Sequence, residues 1–89
     1  MENNINTTLN ERANSHGDFK TQAALTQDLK TILRKTKNWE TLPAFTKQSL
    51  EMICDKISRA LEGNPKHQDH WHDIQGYAAL AEQNYKRDE

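Results

Sequence analysis

Glu51 and Asp55 stand four residues apart, and Asp69 and Asp73 repeat that spacing further along the chain. Gly63-Asn64-Pro65 lies between the two pairs and is a strong helix breaker. Residues four apart share a helix face, so each pair projects from one side of its own helix. If the two helices fold back on each other, four carboxylates converge near one end of the pair. A hard cation such as Mg²⁺ requires an oxygen set of that kind, with room left for a phosphate. Ordinary electrostatics produces the same pattern. Acidic residues are favoured in the first turn of a helix, which would account for Asp69 and Asp73. Glu51 and Asp55 would then be part of a solvated face.

Lys56 and Arg59 adjoin Asp55, and either could pair with a carboxylate or with a phosphate. His67, His70 and His72 suggest zinc, but the spacing is not HExxH and no cysteine pair accompanies it. His72-Asp73 also forms an HD dipeptide, as in metal-dependent phosphohydrolases, whose helical domain is longer and brings further ligands. A hydrogen bond from His70 or His72 to a nearby carboxylate is the plainer reading. Cys54 lies between Ile53 and Ile57 on an apolar stripe, and reads as a small core residue rather than a reactive thiol.

Four helical segments would position these groups. A short helix is expected over about residues 7–15, with Leu9 and Ala13 on its apolar side, ended by Gly17 in the left-handed cap. Asp18 reads as the N-cap of a second helix, running to about residue 36. Phe19, Ala23, Leu29, Ile32 and Leu33 form its apolar face, with Leu25 off the stripe. Trp39, Leu42 and Phe45 surround Pro43 and should cover one end of the core. The third helix is expected over about residues 43–61, with Leu50, Ile53, Cys54, Ile57, Ala60 and Leu61 as its stripe and Met52 nearly opposite. It should close with Gly63 or Asn64 in the left-handed cap. The fourth begins between residues 66 and 69 and runs to about residue 85, with Trp71, Ile74, Ala78, Ala81 and Tyr85 inward. Gly76 inside it costs about 1 kcal/mol relative to alanine, which close approach of another helix or a ligand would explain. No stretch alternates as a strand, so the fold class is all-α, a compact bundle of about four helices. Residues 1–6 read as a disordered N-terminus, 7–85 as one helical domain and 86–89 as a loose tail.

A chain of 89 residues makes at most one domain, and one this short buries little surface. With 34% apolar residues and a mean hydropathy of −1.06, its core should be completed by oligomerisation, which sedimentation would test. The net charge of −1 provides no global attraction to nucleic acid or anionic lipid. The local cluster Lys30, Arg34, Lys35 and Lys37 fits a helix C-terminus better than a DNA contact. One cysteine, no apolar leader and no membrane-length apolar run point to a cytoplasmic protein.

Arg12, His16-Gly17-Asp18-Phe19, Leu50-Glu51-Met52-Ile53, Lys56-Ile57, Arg59 and Asp69-His70-Trp71, followed by Asp73-Ile74 and Gly76-Tyr77-Ala78, form a further pattern. Over about residues 11–81 it resembles a group of small phage and prophage proteins forming a domain family of unknown function. That group is similar to compact MazG-like and nucleotide-modification-associated all-α proteins. The resemblance implies an Mg²⁺-dependent (or Mn²⁺-dependent) nucleoside triphosphate pyrophosphohydrolase, or a nucleotide-binding relative, assembled as a dimer or tetramer in a bacterial host. It implies metal on Glu51, Asp55, Asp69 and Asp73, and catalytic assistance from Glu51, Lys56 and Arg59. Arg12, His16 and Asp18 would complete the substrate site. Trp71 and Tyr77 would stack on a base or pack the bundle. MazG-like enzymes carry Glu-x-x-Glu and Glu-x-x-Asp, whereas both pairs here are spaced i, i+4, leaving the acidic set one residue short. The rival reading is therefore a non-catalytic helical interaction module, docking through an exposed Trp39 and Met52.

Overall fold

The computed structural model describes residues 4–88. Among these, four α-helices and one 3-10 turn form an all-α bundle without strands: α1 (Asn4–His16), α2 (Phe19–Arg34), the turn Trp39–Thr41, α3 (Ala44–Glu62) and α4 (Gln68–Asp88). Helix α3 is central and packs against all three others. The bundle is drawn out along one axis, 54 × 26 × 24 Å. No helix among the described residues is long and apolar enough to cross a membrane. Helical structure reaches beyond the expected domain limits at both ends, and Thr8 Oγ1 bonds back to the Asn4 carbonyl at 2.9 Å in the first turn. Residues 1–3 of the expected N-terminal tail and residue 89 lie outside the described residues.

Local chemistry explains the boundaries. Asp18 caps α2 as expected, its Oδ2 accepting from the Thr21 amide at 3.2 Å. Gly17 takes the left-handed conformation at φ 81°. Neither Gly63 nor Asn64 does so: Gly63 sits at φ −114°, and no non-glycine residue among those described has positive φ. Gly63 is required for a different reason. A Cβ there would lie 2.3 Å from the Ser15 carbonyl oxygen, and a Cβ on Gly17 would lie 2.3 Å from the Glu62 carbonyl oxygen. The α1–α2 and α3–α4 turns therefore cross backbone against backbone, which only two glycines permit. Asn64 N–H donates to Ser15 O at 3.0 Å across that crossing.

The core is small. Among the described residues, Trp39, Cys54 and Ala60 are its buried apolar members, joined by the buried polar side chains Gln22, Thr26, Ser49, Ser58 and His70. Trp39 is 7% exposed and Met52 half-buried, so neither is the expected docking residue. Phe19, Ile32 and Leu61, placed inward from spacing, face solvent. On α2 the inward positions are Gln22, Thr26, Leu29 and Leu33, and the polar pair there is buried by bonding to itself: Gln22 Nε2 donates to Thr26 Oγ1 at 3.0 Å. Helices α3 and α4 are antiparallel neighbours, as the short turn requires. Lys56 meets Asp73 near the turn, and Phe45 and Thr46 meet Tyr85 at the far end. Among the described residues nothing approaches the glycine inside α4: a Cβ on Gly76 would have no neighbour within 4 Å.

Candidate functional site

The crossing turns place α1 beside the start of α2 and the end of α3, and a cavity of about 460 Å³ opens between them. Its wall carries Arg12 and His16 from α1, Asp18 from the turn, Phe19 and Gln22 from α2, and Arg59 from α3. Ile5, Leu9 and Ala13 line the α1 side. Four residues expected on sequence grounds, Arg12, His16, Asp18 and Arg59, are thus brought together. Phe19 and Gln22 were not foreseen as site residues. A ring 79% exposed at a cavity rim is a stacking surface of the kind a planar base can use.

Arg59 is held from behind. Asp55 Oδ1 accepts from Gln22 Nε2 at 3.0 Å, and Asp55 Oδ2 lies 3.1 Å from Arg59 Nε. That Nε is buried, and its N–H is not aligned with any acceptor. A guanidinium braced by a carboxylate and lining a cavity is suited to a forked oxyanion. The Asp18 carboxylate is engaged as the α2 cap, accepting from Thr21 N and Thr21 Oγ1.

Behind His16 lies a cluster of imidazoles. Its ring centroid is 4.9 Å from that of His70 and 5.9 Å from that of His67, and the latter two are 5.0 Å apart. His70 is 1% exposed, and its Nε2 donates to Ser15 O at 2.7 Å. The His16 pKa lies below its ordinary value, first because burial disfavours the charged ring, then because Arg59, His70 and Arg12 repel a second positive charge. The Ser15 hydrogen bond opposes this only in part. The neutral form of His16 is thereby favoured in the free protein.

The four paired carboxylates have a different fate. Each meets a cationic or basic side chain of its own chain. Glu51 pairs with Arg34 at 2.7 Å, Asp55 with Arg59, Asp69 with His67 at 3.4 Å and Asp73 with Lys56 at 3.1 Å. The Lys56 hydrogen bond holds the Asp73 carboxyl below the usual carboxylate range, against some desolvation. Among the described residues no group of three or more His, Cys, Asp or Glu side chains is arranged to hold a metal ion. Lys56 is committed to Asp73 and does not line the cavity.

Trp71 and Tyr77 lie apart from the cavity. Trp71 Nε1 donates to Pro65 O at 2.7 Å, clamping the α3–α4 turn, and the ring is half exposed rather than packed inside. Tyr77 lines a second, smaller hollow of about 280 Å³ on the outer face of α4, with His72, Asp73, Gly76 and Leu80.

Neither a curated protein nor a solved structure matches the chain. A family model does, over residues 1–85, and its description, Domain of unknown function (DUF6378), names no activity. With nearly its whole length matched, the chain belongs to this DUF6378 family.

Proposed function

We propose that the protein binds a nucleotide in the cavity between α1, α2 and α3. In this reading Arg12 and Arg59 take the phosphates and the base lies on Phe19, against Ile5 and Leu9. The observation that carries it is the convergence of two guanidinium groups, one of them half-buried and braced by Asp55, with an exposed aromatic ring around one opening. Phosphate recognition by paired arginines and base recognition by ring stacking are independent demands, and the cavity wall offers side chains suited to each.

Hydrolysis is the extension of this reading. An Mg²⁺- or Mn²⁺-dependent, MazG-like pyrophosphohydrolase using Glu51, Asp55, Asp69 and Asp73 would require Arg34, Arg59, His67 and Lys56 to release them. That extension, together with phage origin, cytoplasmic location and assembly as a dimer or tetramer, rests on the sequence resemblance and on chain size. The test is thermal stability across nucleoside triphosphates with and without Mg²⁺, read together with pyrophosphate release. Binding predicts stabilisation that Arg12→Ala abolishes. Release would add the enzyme. The absence of stabilisation by every nucleotide would refute the proposal.

One observation favours a second reading, a helical interaction module. The outer face of α4 around Gly76 is bare, with Tyr77 and the exposed Leu80 beside it. Association of the protein through that face, with no response to nucleotides, would support it.

A further inference from the structure

His16 occupies the point where the cavity meets the crossing turns, and the groups around it are unevenly charged. From α1, Arg12 stands one turn before it and the Ser15 hydroxyl lies 3.2 Å from its Nδ1. From α3, Arg59 faces it, with Asp55 engaged behind. From the α4 side come the His67 and His70 rings, and Asp69 sits on the His67 Nε2 at 3.4 Å. From the start of α2, Asp18 shares the cavity wall, its carboxylate used as the helix cap. Positive groups thus face His16 directly, while the nearby carboxylates are each held by another partner.

We propose that a phosphate group enters this cavity together with a proton, which His16 takes up. The inference rests on the reading that the cavity binds a phosphorylated ligand. In the free protein, burial, Arg59, His70 and Arg12 all favour the neutral ring. A phosphate between Arg12 and Arg59 reverses the sign of the local field, and an opposite charge at close range favours the protonated ring. The imidazolium then donates to a phosphate oxygen while its other nitrogen faces Ser15. The balance is simple: neutral His16, one solvent proton and the anion give an imidazolium–phosphate pair, with no bond made or broken in the ligand. Affinity therefore rises as the pH falls from alkaline toward neutral, until the phosphate itself protonates, at about 6 for its second ionisation.

The test is calorimetric titration of the full chain with ATP near neutral pH, in two buffers of different ionisation enthalpy. The buffer dependence of the heat counts protons bound. Wild-type protein is expected to take up as much as one proton per ATP beyond the uptake seen with His16→Asn, whose titration accounts for protonation of ATP itself. The imidazole resonances of His16, followed by NMR against pH with and without ATP, provide the second measurement and need no variant. A rise in the His16 pKa on ATP addition is the expected result. ATP binding with equal proton uptake in both proteins, or with an unmoved His16 titration, overturns the inference and leaves nucleotide binding standing. No ATP heat and no stabilisation by any nucleotide overturns both.

Discussion

His70 donates through Nε2 to the Ser15 carbonyl at 2.7 Å, linking α4 to the end of α1 across 55 residues of chain. A carbonyl only accepts, so the Nε2 position carries a proton. The same oxygen accepts from Asn64 N–H at 3.0 Å, so one carbonyl ties both crossing turns together. Among the described residues His70 is the largest fully buried side chain. Truncation in His70→Ala removes a buried hydrogen bond and leaves a cavity, so a loss of about 2–3 kcal/mol is expected. Urea unfolding, followed by α-helical circular dichroism, measures it. A loss no larger than that of a surface substitution would show that the link contributes little.

The glycines separate into two kinds, and alanine substitution should distinguish them by sign. Gly17→Ala forces a Cβ within 2.3 Å of Glu62 O at positive φ, and Gly63→Ala forces one within 2.3 Å of Ser15 O. Each should lower stability by more than about 2 kcal/mol and loosen the cavity, because backbone must move to make room. Gly76→Ala meets open space and should raise stability by about 1 kcal/mol. If α4 docks a partner closely at this position, the same substitution raises monomer stability and weakens that association. The melting temperatures of the three variants decide the sign in each case.

Helical spacing, capping residues and breakers made the four helices legible, with Asp18, Gly17 and Pro43 all at element boundaries. The buried faces were less so. On α2 the apolar residues Phe19 and Ile32 point outward, while Gln22 and Thr26 point inward and satisfy each other. Hydropathy spacing cannot register a polar pair that is buried because it is self-bonded. An i, i+4 Gln–Thr pair flanked by Ala23 and Leu25 was the available signal. The cavity was only partly legible. Arg12, His16 and Asp18 are local in sequence, but Arg59 reaches them through the crossing at Gly17 and Gly63, which no short-range pattern encodes. For the four carboxylates, spacing showed that each pair shares a face. It could not choose between a metal and the cations of Arg34, Lys56 and Arg59, which lie at equally suitable positions.

Cys54 is buried, and burial raises its thiol pKa, with Glu51 adding to the shift and Lys30 opposing it. The thiolate is the reactive form, so the folded protein should react with a thiol reagent far more slowly than the unfolded chain. A time course with a chromogenic disulfide, with and without denaturant, checks this. Rapid labelling under native conditions would mean that α3 opens readily against its neighbours.

The Lys56–Asp73 pair joins α3 to α4, with the Lys56 side chain 12% exposed and that of Asp73 41% exposed. Asp73 has a pKa below its ordinary value in the fold, so its contribution to stability is present above the unfolded carboxylate pKa of about 3.9. It is lost as the pH falls through the lower folded value. Lys56→Met keeps the apolar stem and removes the charge. It should cost no more than about 1 kcal/mol at neutral pH, since the carboxylate is well solvated. It should also flatten the acid limb of the stability–pH curve. An unchanged acid limb would remove Asp73 from the account of acid unfolding.

Protonation of His16 should act on stability in opposite directions in the free and the liganded protein. In the free fold its pKa is lowered below 6.5 by burial and by Arg59, His70 and Arg12. The unfolded chain then binds a proton at a higher pH than the folded one does. Between those two pKa values the unfolded state carries the greater proton load, so stability rises with pH. It is full above about 6.5 and declines as the pH falls through that window. Chemical denaturation between neutral and mildly acidic pH should show this decline, and His16→Asn should reduce it. With a saturating phosphate ligand beside Arg12 and Arg59, the ring pKa moves upward and the slope changes sign, so that acidification now favours the folded, liganded protein. A slope that is the same with and without ligand would mean that the anion and the imidazole do not sense each other across the cavity.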